Sequence, residues 1–118
     1  MEEILHNGIV LRHGDGSFRL GTDSMLLAHF AAPFCTGRVA DLGAGCGTLG
    51  LLLCAANERC TVTGIELNET AHRIALENAA ASGCSQRLRP ILGDVREIRS
   101  LLPSGSFEVV VSNPPYFP

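Results

Sequence analysis

From residue 38 onward, short apolar runs alternate with helical periodicity, and that alternation sets the fold. Residues 39–42 form a brief apolar run ending in glycines, residues 48–56 have helical spacing, and residues 60–66 are a β-branched run closed by an acid. Asn68 is placed to cap a helix reaching about Ser82, with Ala71, Ile74, Ala75, Asn78 and Ala79 on one face and Gly83 at its stop. Residues 88–92 predict a third strand, 95–102 a short helix and 107–112 a fourth strand. Upstream, residues 8–12 read as a strand, His13-Gly14-Asp15-Gly16 as a turn and residues 17–20 as the return strand of a β-hairpin. Thr22, Asp23 and Ser24 offer caps to a helix that Pro33 terminates, and its Met25-Leu26-Leu27 stretch reads as core.

Strand, helix, strand, helix with short links demands parallel strands and right-handed crossovers. The expected fold class is therefore α/β, a Rossmann-like open parallel sheet with helices on both faces, preceded by a β-hairpin and a helix. Residues 1–36 form the lead-in and residues 37–118 the core. Ligands of such sheets bind at the carboxyl ends of the strands, and every candidate motif falls there: residues 41–47, Glu66, Asp94 and residues 113–116.

Composition narrows the class. The 118 residues carry a formal charge of −3, and all nine basic residues are arginine, which argues against an overall basic surface. Arg87, Arg89, Arg96 and Arg99 could form a local basic strip, but with Asp94 and Glu97 among them a solvated face is the simpler reading. The five cysteines form no C-x-x-C pair and none sits near a histidine at ligand spacing, so neither a disulfide framework nor a metal site is indicated, and a reducing cytoplasm follows. No apolar stretch is long enough to span a bilayer. His6, His13, His29 and His72 share no spacing and read as surface or packing residues.

The candidate chemistry begins at Asp41-Leu42-Gly43-Ala44-Gly45-Cys46-Gly47, where glycines let backbone approach a ligand closely. Gly45, Gly47 and Gly50 also spell the G-x-G-x-x-G of dinucleotide sites, yet Asp41 just before the loop would repel a pyrophosphate. Asp41 instead favours a ligand with a positive group. S-adenosylmethionine, which has a sulfonium and an ammonium but no phosphate, meets that requirement. Glu66 offers an acceptor pair to its ribose hydroxyls, Asp94 an acceptor to the adenine amino group, and Val95 an apolar surface to the ring. Taken alone, Glu66 could be an ordinary strand-end residue, Asp94 a helix cap and Cys46 a small filler; it is their succession at strand ends that argues for a site. Finally, Asn113-Pro114-Pro115-Tyr116 is a rigid turn. Its prolines leave the Asn113 and Pro114 carbonyls free, and the Asn113 carboxamide and Pro114 carbonyl can accept from one planar NH2 group while Tyr116 stacks on the plane.

These four ordered motifs resemble those of class I S-adenosylmethionine-dependent methyltransferases: a glycine-rich motif at Asp41 to Gly47, a ribose acid at Glu66, an adenine-side acid at Asp94 and an amino-methylating motif at Asn113 to Tyr116. The lead-in Phe18-Arg19-Leu20-Gly21-Thr22-Asp23-Ser24-Met25-Leu26-Leu27 is similar to the bacterial tRNA1(Val) (adenine-37-N6)-methyltransferase family. The resemblance implies strand order 3-2-1-4, a cofactor site of Thr22, Asp41, Gly43, Ala44, Gly45, Gly47, Glu66, Leu67, Asp94, Val95 and Asn113, and catalysis by Asn113, Pro114, Pro115 and Tyr116. It implies methyl transfer to the exocyclic N6 of adenine in tRNA or another structured RNA. A protein glutamine amide remains open as substrate, as does cofactor binding without catalysis; a nicotinamide oxidoreductase is disfavoured by Asp41. Such enzymes continue through three further strands, so the core reads as incomplete at its carboxyl end, with an apolar edge at 107–112 that further strands or self-association would cover.

Overall fold

The structure, a computed structural model, describes residues 2–4, 8–12, 22–102 and 105–112. Strands β1 (Glu2–Ile4) and β2 (Val10–Arg12) pair antiparallel ahead of helix α1 (Thr22–Ala31), which one 3-10 turn, Ala32–Phe34, closes at Pro33. Then follow β3 (Arg38–Leu42), α2 (Thr48–Ala56), β4 (Thr61–Glu66), α3 (Glu69–Ala81), β5 (Leu88–Leu92), a 3-10 turn (Val95–Glu97) running into α4 (Ile98–Leu101), and β6 (Val109–Val111). The second sheet is parallel throughout, in the order β5-β4-β3-β6. That is the expected 3-2-1-4.

Alternation along the strands explains the layers. Val39 and Val62 point into a core shared with Leu51, Leu53 and Ala79, while Ala40 and Ile65 point into a second cluster with Leu102, Ile98 and Phe107. Helices α1, α2 and α3 thus cover one face and α4 the other. Asn68 caps α3 as expected, its Oδ1 accepting from the Ala71 amide at 2.9 Å. Gly83 ends the same helix at φ +70°.

Three expectations change. Strand β2 pairs with Glu2–Ile4, which the sequence reading passed over, and the proposed return strand at 17–20 lies outside the described residues. Met25 and Leu26 are not core: they are 54 % and 61 % exposed, because α1 meets α2 through Leu27, Ala28 and Ala31 and turns its other flank outward. Arg87 does not belong to a solvated strip. Its guanidinium turns inward and donates to the carbonyls of Cys54 (2.9 Å), Asn57 (3.1 Å) and Cys60 (3.2 Å), closing the end of α2 beneath the sheet. Cys35, Cys54, Cys60 and Cys84 are buried and unbridged at that same end.

Candidate active site

At the opposite end, the chain leaving β3 turns through residues 43–47 before α2 begins. The amides of Gly43 and Ala44 both donate to the Ile65 carbonyl, each at 2.9 Å, so the loop hangs from the neighbouring strand. Gly64 makes that approach feasible: a Cβ there would sit 2.8 Å from the Ala44 Cβ. Gly47 has φ +85° and rests on α3, where an added Cβ would meet the Ala75 Cβ at 3.4 Å. Among the described residues, an added Cβ at Gly43 or Gly45 would meet nothing within 4 Å, so these leave open space beside the loop.

Glu66 closes the loop from β4. Its Oε1 accepts from the Gly45 amide at 2.7 Å and its Oε2 from the Asn68 amide at 2.9 Å. A carboxylate has about four lone-pair positions, so each oxygen keeps room for a further donor. Asp41, 2 % exposed, sits nearby. Burial first, and the Glu66 carboxylate second, push its pKa from the ordinary 3.8 up to about 7. A buried acid facing a second carboxylate is an environment that a cationic group relieves.

Asp94 caps the 3-10 turn by accepting from the Arg96 amide at 2.9 Å. It also holds the Arg96 guanidinium, with Nε at 3.1 and 2.9 Å from the two oxygens and Nη2 at 2.6 Å. The Arg96 side-chain hydrogen bond is the main reason its pKa is lowered. Its acceptor capacity is therefore taken up locally, and a further donor needs Arg96, whose side chain is 85 % exposed, to swing aside. Leu67 and Val95 follow the two acids with apolar side chains 65 % and 40 % exposed. Thr22 is the first residue of α1.

Asn113, Pro114, Pro115 and Tyr116 lie outside the described residues. What precedes them is placed: Val111 is in register with Asp41, and the Ser112 hydroxyl donates to the Leu42 carbonyl at 3.0 Å. The chain thus runs toward the tetrapeptide from beside the start of the glycine loop.

Sequence reasoning missed two supports. The Ile65 carbonyl has no sequence signal. Asn78, fully buried, donates from Nδ2 to the Cys46 carbonyl at 2.9 Å, and its signal was an amide in an otherwise apolar helical stripe. Among the described residues, no group of three or more His, Cys, Asp or Glu side chains is arranged to hold a metal ion, and no helix is long and apolar enough to cross a membrane.

Comparison with known proteins identifies the family. The tRNA1(Val) (adenine(37)-N6)-methyltransferase of Porphyromonas gingivalis W83 is 36 % identical over 107 residues, covering 86 % of this chain and 42 % of its own length. The Aeromonas hydrophila protein of the same name is 34 % identical over 106 residues, covering 89 % and 43 % respectively. This chain therefore spans about two-fifths of the length of those curated relatives. Among solved structures, the N-terminal domain of human METTL16 in complex with SAH shares the fold with a TM-score of 0.76 at 15 % identity, over 92 % of this chain and 47 % of that one. With residues 15–117 matching its description, the chain belongs to the methyltransferase small domain family.

Proposed function

We propose that this chain is the S-adenosylmethionine-binding core of an N-methyltransferase that modifies the exocyclic N6 of adenine in tRNA. The observation that carries the reading is the convergence of a buried acid, a second carboxylate with spare acceptor capacity and an open glycine loop at one strand end, beside the point where the chain runs on toward Asn113. The curated relatives' names supply the substrate class.

These residues fit the cofactor. When bound, S-adenosylmethionine supplies an electrophilic methyl group on a sulfonium. Asp41 provides the charge that favours a cationic ligand, the free lone pairs of Glu66 receive a ribose diol, residues 43–47 let it approach, and Leu67 and Val95 offer apolar contact to a flat ring. Asp94 serves the adenine edge once Arg96 releases it. Asn113 and Pro114 accept from the substrate NH2 as charge develops on nitrogen, Pro115 stiffens the turn and Tyr116 stacks the base. Positioning, rather than proton transfer by a general base, is the main contribution.

β6 is the last strand of the sheet on its side, and its Val110 is 59 % exposed. In this reading further strands or a second copy cover that edge. The five unbridged cysteines accord with a cytoplasmic setting.

Titration calorimetry with S-adenosylmethionine, with Asp41→Ala as control, tests the cofactor. Labelled cofactor incubated separately with tRNA and with protein fractions tests the substrate. Label confined to protein would replace the RNA reading with glutamine amide methylation. Binding without any transfer would favour cofactor binding without catalysis.

A further inference from the structure

We infer that Asn78 is a positioning residue for the cofactor loop, acting from α3 without lining the open space itself. The inference rests on the cofactor reading above and names a residue outside its glycine and acid motifs. The other loop residues have identifiable supports: Gly43 and Ala44 hang from the Ile65 carbonyl, Gly45 from Glu66 Oε1, and Gly47 donates to the Ala44 carbonyl and lies on Ala75 and Leu88. Cys46 is the remaining residue, and its carbonyl accepts from Asn78 Nδ2 at 2.9 Å.

Position along the helix makes the pairing specific. Ala75 and Asn78 are three residues apart, hence on one face of α3. The small side chain admits Gly47, and the carboxamide one turn later reaches the carbonyl just before it. Asn78 is 0 % exposed, and Cys46 as a residue is 6 % exposed. Neither partner has ready access to water as a substitute, so loss of the donor leaves a buried carbonyl unsatisfied. The loop's left-handed glycines give it little intrinsic preference for this shape. Its geometry therefore depends on these supports.

Asn78→Asp preserves size and, measured at alkaline pH where its carboxylate is ionised, replaces the donor with a group that repels the Cys46 carbonyl. Arg87→Met is the control, since it removes three hydrogen bonds at the opposite end of the sheet. The expected result is about tenfold or greater loss of S-adenosylhomocysteine affinity in Asn78→Asp, by analogy with the loss of other supporting contacts, against a change below about twofold in Arg87→Met at a comparable fall in Tm. Amide hydrogen exchange read without ligand supplies an independent measure: exchange at Gly47 and Ala44 accelerates in Asn78→Asp while β4 stays protected. If loop exchange is unchanged, or if both variants hold the wild-type Kd, the positioning role is wrong. If wild type fails to bind the ligand while loop exchange responds as expected, the cofactor assignment falls and the support of the loop by Asn78 stands.

Discussion

Asp41 is held at a thermodynamic disadvantage, and removing its charge should make the protein more stable and less able to bind. Its pKa of about 7 against an ordinary 3.8, at about 1.36 kcal/mol for each pKa unit, corresponds to a cost of about 4 kcal/mol at neutral pH and above. The direction is opposite to that of an ion-paired carboxylate. Between those two pKa values the folded chain retains a proton that the unfolded chain has released, so this contribution is fully present below about pH 4 and declines as pH rises through about 7. Roughly 3 kcal/mol of it disappears between about pH 5 and pH 8. Asp94 and Glu108 have lowered pKa values and act in the other sense at more acid pH, so they do not mask this window. Urea unfolding of wild type and Asp41→Asn, followed by circular dichroism at both pH values, isolates the group. The amide variant should be more stable by about 2 to 4 kcal/mol at pH 8, with the gap narrowing as pH falls, and should bind S-adenosylmethionine more weakly at both. Equal stability at pH 8, or a difference independent of pH, would refute the account of Asp41 as a strained, cation-seeking acid.

Other changes separate the two ends of the sheet. Gly64→Ala drives a methyl against the Ala44 Cβ at 2.8 Å, so it should cost about 1 to 3 kcal/mol in chemical unfolding and weaken ligand binding measured by calorimetry. Arg87→Met deprives the carbonyls of Cys54 and Asn57 at the end of α2, and of Cys60 just before β4, of a charged donor; differential scanning calorimetry should report about 2 to 4 kcal/mol of destabilisation. All five thiols are at most 6 % exposed, and the Cys60 thiol is pushed up, first by its hydrogen bond with Cys54 and then by burial. A colorimetric disulfide reagent should therefore react with them only as fast as the protein opens, and fast modification of the native state would contradict the packing.

Much of this was legible because period and punctuation agreed. The runs at 39–42, 60–66 and 88–92 became β3, β4 and β5 with shifts of one residue at most. The acids fell at strand ends because parallel βαβ units put them there. What the sequence could not show was direction across space. Met25 and Leu26 read as core since apolar type was all that was visible, whereas burial depends on which flank of α1 meets α2. Arg87 read as solvated for the same reason: its three acceptors lie 27 to 33 residues away. Asp94 was read as a free acceptor, and a partner two residues on has engaged it.

The order in which the pieces appear along the chain also has a temporal meaning. The groups that hydrogen-bond the glycine loop from outside it, on Ile65, Glu66 and Asn78, are all encoded before residue 79. The strand leading to Asn113 pairs with β3 across a separation of 70 residues. During synthesis, therefore, the glycine loop and the groups that hydrogen-bond it emerge before the part that would present an amino group. Closing β6 onto β3 carries the long-range loop entropy and sits late in any vectorial assembly. A small molecule that favours the early cradle stabilises it by mass action while the rest of the chain is still being made.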